Sequence, residues 1–265
     1  MLPADRRPNT ATLKRITRHI GLHSRLKSLY WRLSVPRVLH ALSRKRRVTH
    51  RIGGVAVEFP VAEYWQYQRF RWVHPELDLF EELVETLEPG DVFYDVGAHL
   101  GWHSVVAASA DPGVDVVAFE PHPTVADRLE TVIRLTSHEV DCRRTALFDE
   151  DGTVAFTGAP DPAAHVSGVY GEEPEDTVQV DTAAGDTLVA EGEIPPPDVL
   201  KIDAEGAEEA VLRGLKATIR EHRPRLIYCE VHTDAAAVKT LLDDLGYAHE
   251  PLASARPILR AVPRT

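Results

Sequence analysis

Apolar runs and amphipathic stretches alternate along most of this chain. Short apolar runs at 92–97 and 115–120 predict buried strands, and the stretches at 101–110 and 123–135 predict the helices that follow them. The alternation continues with predicted strands at 140–147, 198–203 and 225–231 and predicted helices at 207–221 and 234–245. Such alternation predicts a parallel sheet with helices on both faces.

Shorter segments flank or interrupt this pattern. Residues 51–60 predict a hairpin or strand around two adjacent glycines, 75–87 a helix, and 247–262 a closing antiparallel pair. Between residues 149 and 182 the chain is rich in Gly, Pro and acids, with strand-like pieces at 153–157 and 177–181 around a loop centred on 165–170. We expect this insertion to lie over the ligand pocket, because functional residues concentrate on loops.

The first strand of the alternation ends in an acid and a glycine turn. Asp95 is followed by Gly97 and Gly101, and the next strand ends at Glu120. A Rossmann-like sheet binds a ribose-bearing cofactor at such strand ends, but a dinucleotide site has glycine where Asp95 stands. An acid there would repel pyrophosphate and attract the ammonium group of S-adenosylmethionine, directly or through water. Glu120 is placed to accept hydrogen bonds from both ribose hydroxyls.

Two other interpretations of this turn stay open. The acid can belong to a plain strand–helix–strand unit in which it caps the next helix, or the spacing can be that of a nicotinamide enzyme. His99 and His103 flank the turn, and His103 either faces the transferred methyl group or lies on the helix surface.

A second group of charged residues follows the predicted strand 198–203. Lys201, Asp203 and Glu205 share one strand face by the period of two. Burying a charged group at the end of a strand costs free energy, which is tolerated where the group forms an ion pair or takes part in function. We therefore interpret Lys201 and Asp203 as catalytic or substrate-binding. Glu208 falls in the first turn of the next helix, where an acid favours the positive helix end.

The following strand brings Glu230 and His232 to the same rim. A carboxylate near a histidine can act as a general base towards a hydroxyl. Together with Asp203 and Glu205, these residues could instead ligate a divalent metal. We expect none, because two-residue spacings at strand ends arise easily without a metal.

These runs resemble the FkbM family of S-adenosylmethionine-dependent methyltransferases. The resemblance covers roughly residues 75–232 and includes the segments 95–101, 119–123, 145–149, 185–188 and 201–208 as well as Glu230. It implies an α/β, Rossmann-like class I methyltransferase fold, with a seven-stranded, mostly parallel sheet and helices on both faces. It also implies O-methyl transfer, often onto sugar or polyketide hydroxyls.

The same resemblance implies roles for individual residues. The implied contacts with S-adenosyl-L-methionine are Asp95, Gly97, His99, Gly101, Glu120 and, near the adenine, Ala146. Lys201, Asp203 and Glu205 are implied to lie nearest the reacting centre. His232 or Asp203 is then the candidate base, with Lys201 lowering the cost of a developing alkoxide. The chain departs from the family where asparagine is common, at His99 and His122.

Charge divides the chain into a basic extension, residues 1–50, and a methyltransferase domain, residues 51–265. The extension has 13 Lys and Arg against one acid, although the whole chain carries a net charge of −11. Residues 11–43 alternate basic and apolar residues at helical spacing, and Pro36 is expected to end or kink the first helix. Residues 11–47 could contact an anionic membrane, or the helix could dock onto the acidic domain.

Composition limits the remaining possibilities. With no apolar run of about 18 residues and no signal-peptide pattern, we expect a cytoplasmic protein, with peripheral contact at the inner membrane surface as the alternative. Cys142 and Cys229 are expected to be buried thiols. A nucleic-acid partner is not expected, because the acidic domain would repel phosphates. The expected acceptor is a small molecule or a lipid-linked saccharide; a non-catalytic, membrane-associated glycan-assembly partner is the other class considered.

Overall fold

A computed structural model describes residues 35–72, 76–110, 113–157, 177–252 and 256–265, to which all structural statements below refer. The chain forms two compact units. One contains the described residues up to Arg47 together with Val61–Arg71, and the other contains Val48–Pro60 and Trp72–Thr265.

The helices and strands follow one another with short connections. In chain order they are α1 (Val35–Ser43), β1 (Arg47–Ile52), β2 (Val55–Pro60), α2 (Tyr64–Phe70), α3 (Leu77–Thr86), β3 (Val92–Val96), α4 (Trp102–Ala110), β4 (Asp115–Phe119), α5 (Pro123–Leu135), β5 (Asp141–Arg143), β6 (Ala146–Phe148), β7 (Gly152–Thr157), β8 (Thr177–Ala184), α6 (Gly185–Ala190), β9 (Val199–Ile202), α7 (Glu208–Gly214), α8 (Lys216–His222), β10 (Leu226–Glu230), α9 (Ala235–Asp244), β11 (Tyr247–Pro251) and β12 (Ile258–Pro263).

The larger unit is built on a seven-stranded sheet of order β5-β4-β3-β9-β10-β12-β11. Strands β5, β4, β3, β9 and β10 are parallel, and β12 runs antiparallel to both β10 and β11. The strand order reverses at β3, because β4 and β5 lie on one side of it and β9 and β10 on the other. Ligand sites of open α/β sheets lie outside the carboxyl ends of the strands at such a reversal. The predicted mostly parallel sheet and its antiparallel closing pair are confirmed.

The central strands are buried on both faces, as expected when helices cover a parallel sheet. Every residue of β3, β9 and β10 is buried. Their side chains join a core that contains Tyr94, Leu200 and Ile227. Charged residues within these strands therefore need partners inside the protein.

The predicted strand 140–147 is in fact two strands in two sheets. β5 pairs with β4 in the central sheet, whereas β6 pairs with β8 in a three-stranded sheet of order β6-β8-β7. Between them, the guanidinium of Arg144 bonds Asp127 and Glu130 on α5 at the surface, each at 2.7 Å. The chain thus passes from the seven-stranded sheet to the three-stranded sheet at the exposed Arg144. The loop centred on 165–170 lies outside the described residues.

The predicted helix 207–221 is also divided, into α7 and α8. Leu215 leaves helical geometry between them, with φ −107° and ψ 12°. At the end of α7 the backbone lies against β6, where a Cβ on Gly214 would overlap the carbonyl oxygen of Phe148. Asp186, on the unpredicted helix α6, accepts hydrogen bonds from the backbone N–H groups of Ala217 and Thr218 at 2.8 and 2.7 Å. These bonds satisfy two of the backbone N–H groups that have no partner within the first turn of α8.

In the smaller unit, α1 packs on α2 through His40. The buried imidazole donates a 2.7 Å hydrogen bond to the carbonyl oxygen of Val61 and contacts the ring of Tyr67. Pro36 lies in the first turn of α1, where its missing N–H is tolerated. The rest of the predicted helix, residues 11–34, lies outside the described residues.

Two further expectations concern the membrane and the cysteines. Within the described ranges, no helix has the length and apolar character needed to span a bilayer. Both cysteines are free thiols; Cys229 is buried, as expected, whereas Cys142 is only half-buried at the sheet edge.

Candidate active site

The turn after β3 joins the carboxyl ends of three neighbouring strands. Gly97 has φ +73°, and its N–H and that of Ala98 both donate to the carbonyl oxygen of Phe119 at 3.0 Å. A Cβ on Gly97 would overlap the carbonyl oxygen of Asp203, just beyond β9. The turn therefore requires glycine both for its left-handed backbone and for its close contact with the β9 end.

The same turn continues through two further residues with positive φ, His99 at +51° and Gly101 at +82°. A Cβ on Gly101 would lie 2.7 Å from a methyl group of Leu129 on α5. Gly101 thus lets the turn pack closely against the helix that follows β4.

Glu120, at the end of β4, is held by the backbone on both sides. Its Oε2 accepts a 3.0 Å hydrogen bond from the N–H of His99, and its Oε1 a 2.9 Å bond from the N–H of His122. Burial raises the pKa of Glu120 to about 7, although these two N–H groups act to lower it. Each carboxylate oxygen can accept a second hydrogen bond, so two acceptor positions remain for a ligand.

Asp95 does not face the crevice, because it is fully buried beneath the turn. Its Oδ2 accepts a 2.6 Å bond from the Ser104 hydroxyl on α4, and its Oδ1 a 3.0 Å bond from Lys201 Nζ. Burial acts to raise the pKa of Asp95, but Lys201 and Ser104 outweigh it and hold the pKa below its usual range. Its attraction for an ammonium group stays a prediction. In this structure Asp95 acts on the glycine turn through Lys201, which it bonds.

Lys201 uses all three of its ammonium donors inside the protein. Besides Asp95, it donates to the carbonyl oxygens of Val96 at 3.2 Å and Gly97 at 2.9 Å. Burial acts to lower the pKa of Lys201, but Asp95 and Asp203 outweigh it and raise the pKa. The amine therefore stabilises the carbonyl groups of the glycine turn. A contact between Lys201 and a developing alkoxide would require one of these bonds to break.

Asp203 and Glu205 lie beyond the end of β9, in the loop before α7. Asp203 Oδ1 is buried and accepts no hydrogen bond from the described residues. Glu205 has φ +47°, a left-handed conformation that is strained for a residue with a side chain. Burial raises the pKa of both carboxyl groups.

His232 lies among four carboxylates. Its Nδ1 is 2.9 Å from Glu208 Oε1, and its Nε2 is 3.4 Å from Glu230 Oε1 and 3.7 Å from both Asp203 Oδ1 and Glu205 Oε2. Burial acts to lower the pKa of His232, but the bonds to Glu208 and Glu230 and the nearby charges raise it to about 10. This environment favours the protonated imidazole and so disfavours His232 as the base.

An ion-pair chain that the sequence did not reveal supports Glu230. Arg256 donates to Glu230 Oε1 and to Glu76 Oε1, each at 2.9 Å, and Glu76 Oε2 lies 3.2 Å from His103 Nε2. His103 is therefore buried against Glu76, and the interpretation as a helix-surface histidine is wrong. No spacing signal connects these residues, because they come from four separate segments.

Ala146 lies away from these charges, on β6. Its buried side chain packs with Phe156 and Val180 in the core of the three-stranded sheet. The structure thus brings Asp95, Gly97, Lys201 and Asp203 into direct contact around one turn, with Glu120 bonded to the same turn. The implied adenine contact at Ala146 stays a prediction.

The sheet order, the reversal at β3, the glycine turn and the acid ending β4 define a Rossmann-like methyltransferase. Residues 95–248 match the family model described as the methyltransferase FkbM domain. The chain belongs to the FkbM methyltransferase family and is a methyltransferase.

Two relatives illustrate the family. The chain is similar to the hexuronic acid methyltransferase AglP of Haloferax volcanii, with 30% identity over 199 residues that cover 75% of this chain and 81% of the relative. It is also similar to the 31-O-demethyl-FK506 methyltransferase FkbM of Streptomyces tacrolimicus, with 32% identity over 55% of this chain and 67% of the relative.

Among solved structures, a methyltransferase FkbM from Methylobacillus flagellatus aligns with a TM-score of 0.49 and 16% identity. The alignment covers 71% of this chain, which spans half the length of that one.

Proposed function

We propose that this protein transfers a methyl group from S-adenosylmethionine to an oxygen atom of a saccharide-containing acceptor. The observation that carries the donor assignment is Glu120, a buried carboxylate with two unused acceptor positions beside a glycine turn. The names of the two relatives support an oxygen acceptor, because one acts on a hexuronic acid and the other on a 31-O-demethyl compound.

The residues around the turn fit this donor. Glu120 would hold the ribose hydroxyls, and the absence of a side chain on Gly97 keeps the turn close to the β9 end. The bound donor supplies a methyl group that its sulfonium already activates. The protein's own contribution is therefore mainly alignment, which the Lys201 bonds to the turn carbonyls provide.

Asp203 and Glu205 are the proposed partners of the acceptor oxygen. An acceptor hydroxyl must lose its proton, and a carboxylate whose pKa is raised by burial is better suited to take it. His232, whose environment favours the protonated imidazole, would instead orient these carboxylates.

Calorimetric titration with S-adenosylhomocysteine tests the donor assignment. We expect Glu120→Ala to weaken its binding at least about tenfold, since hydrogen bonds to a charged group contribute about 1.5–3 kcal/mol each. Asp203→Ala should chiefly reduce the turnover of labelled donor with lipid-linked sugars of the host. Unchanged affinity in Glu120→Ala would contradict the pocket assignment.

We also propose that α1 contacts an anionic membrane surface, where a lipid-linked acceptor would be found. Val38, Leu39 and Leu42 are 53%, 55% and 72% exposed, and exposed basic residues flank them, including Arg37 and those at 44–46. In flotation with phosphatidylglycerol vesicles, the full chain should rise with the lipid, whereas Leu39→Ser/Leu42→Ser should not. Equal flotation of both proteins, or equal binding to neutral vesicles, would refute this proposal.

A further inference from the structure

The imidazole of His232 is held closely on its Nδ1 side, whereas its Nε2 has a longer contact, 3.4 Å, with Glu230 Oε1. Its Nδ1 donates to Glu208 Oε1 at 2.9 Å, and the same oxygen accepts a 2.8 Å bond from the N–H of Gly206. Glu208 is fully buried at the start of α7, so the ring cannot rotate without breaking a buried hydrogen bond. Histidines that bind metals are commonly oriented in this way, by a carboxylate on the other ring nitrogen.

The other ring nitrogen points towards carboxylate oxygens that it does not approach closely. His232 Nε2 lies 3.7 Å from Asp203 Oδ1 and 3.7 Å from Glu205 Oε2, beyond normal hydrogen-bond distance. Asp203 Oδ1 is buried and has no hydrogen-bond donor among the described residues. Buried carboxylate oxygens are normally hydrogen-bonded, so this atom can accept a closer cationic or donor partner than the imidazole at 3.7 Å.

These three atoms are spaced as ligands of one ion would be. One ligand atom each from Asp203, Glu205 and His232 lies within 4.8 Å of the other two. Ligands about 2.1 Å from a metal are about 3.0–4.2 Å apart, depending on the angle between them. Small side-chain rotations would therefore close the set around an ion.

Neighbouring charges define which groups belong to the set. Glu230 is engaged by Arg256 at 2.9 Å, and Lys201, 3.8 Å from Asp203 Oδ2, is paired with the buried Asp95. One imidazole and two carboxylates suit a divalent ion that accepts mixed nitrogen and oxygen ligands, such as Mn²⁺.

We propose that Asp203, Glu205 and His232 form a divalent-cation site, in which the ion takes the place of the proton on His232 Nε2 and that proton is released to solvent, with Glu208 as the residue that positions the imidazole. Three protein ligands would leave further coordination positions of such an ion open. These positions would hold an oxygen of the acceptor, a role that rests on the proposed function, whereas cation binding itself does not.

Mn²⁺ binding to the chelator-treated full-length protein tests the site without donor or acceptor. Electron paramagnetic resonance of free Mn²⁺ should show one saturable site per chain in the wild type. Asp203→Asn, Glu205→Gln and His232→Gln should each weaken binding at least about tenfold. Asp243→Asn is the matched control, because Asp243 Oδ1 lies 3.5 Å from His249 Nε2 on the surface, and it should bind as the wild type does.

Three results would overturn the proposal: no saturable binding, several weak equivalent sites, or binding that the three ligand variants leave unchanged. Circular dichroism identifies a variant that fails to fold, and Glu205→Gln, at a partly exposed side chain, then decides the outcome. S-adenosylhomocysteine affinity, measured separately, reports on the proposed function. If the protein binds Mn²⁺ at one site but does not bind S-adenosylhomocysteine, the proposed function alone is refuted. If it binds S-adenosylhomocysteine but not Mn²⁺, the cation site alone is refuted.

Discussion

Replacing Lys201 with methionine tests the structural role of the Asp95–Lys201 pair. Methionine keeps much of the side-chain volume but removes the charge and three hydrogen bonds, to Asp95, Val96 and Gly97. Asp95, fully buried, is then left with the Ser104 hydroxyl as its hydrogen-bond partner. Removing one partner of a buried ion pair costs about 3–5 kcal/mol, because the other charge stays in a region of low dielectric.

Urea unfolding measures this loss. With a slope of about 2–3 kcal/mol per molar urea, we expect the midpoint of Lys201→Met to fall by about 1–2 M. Lys216→Met is the matched control, because Lys216 is exposed and the same substitution there should change the midpoint little. The double variant Asp95→Asn/Lys201→Met should recover at least half of the lost stability, since it leaves no unpaired charge.

The pH dependence gives a second readout. In the wild type the pKa of Asp95 is lowered, so the pair contributes stability above the unfolded-state pKa and loses it as the pH falls. In Lys201→Met the buried Asp95 loses its cation, its pKa rises, and the destabilisation should therefore grow from pH 5 to pH 8. Equal midpoints for Lys201→Met and Lys216→Met, or additive effects in the double variant, would refute the reasoning.

Three other predictions concern the ligand turn and the acidic loop. Affinity for S-adenosylhomocysteine should fall as the pH drops through about 7, because the ionised Glu120 accepts hydrogen bonds from ligand hydroxyls more strongly than the protonated form does; calorimetry of Glu120→Gln should show weak binding with no such dependence. Glu205→Gly should increase the free energy of unfolding by about 1 kcal/mol, and so raise the urea midpoint, because glycine adopts the left-handed backbone of this position without strain. The same variant should reduce turnover, because it removes a proposed partner of the acceptor oxygen. A lower urea midpoint would contradict the strain argument. Gly97→Ala should destabilise far more than Gly54→Ala, since both have positive φ but only the first overlaps the carbonyl oxygen of Asp203, and equal midpoints would exclude that contact.

Much of the fold follows from local patterns in the sequence. The apolar runs predicted the strands that became β3, β4, β9 and β10, because a strand buried on both faces must be apolar along most of its length. The predicted hairpin and helix before the sheet also formed, as β1–β2 and α3. Two elements were predicted wrongly, at 140–147 and 207–221, where close contacts and surface ion pairs decide where a regular segment ends.

The sequence was less informative about which polar groups meet. Glu208 lies in the first turn of α7, as predicted, but the sequence did not reveal that its carboxylate also bonds the imidazole of His232. A helix-surface position was one of two interpretations of His103, but the residue is buried against Glu76. Burial of a polar residue requires a partner, and the spacing of residues along the chain does not identify that partner.

By itself, the sequence determined the sheet, the position of the glycine turn, and the acids at the strand ends, because backbone propensity and hydrophobic period act over a few neighbouring residues. Only the tertiary structure decided that Lys201, 106 residues after Asp95, bonds Asp95 and the carbonyl groups of the turn. A lysine at a strand end has the same local signal whether it pairs inside the protein or faces a ligand. Its pairing depends on β3 and β9 lying side by side, which is a property of the assembled sheet.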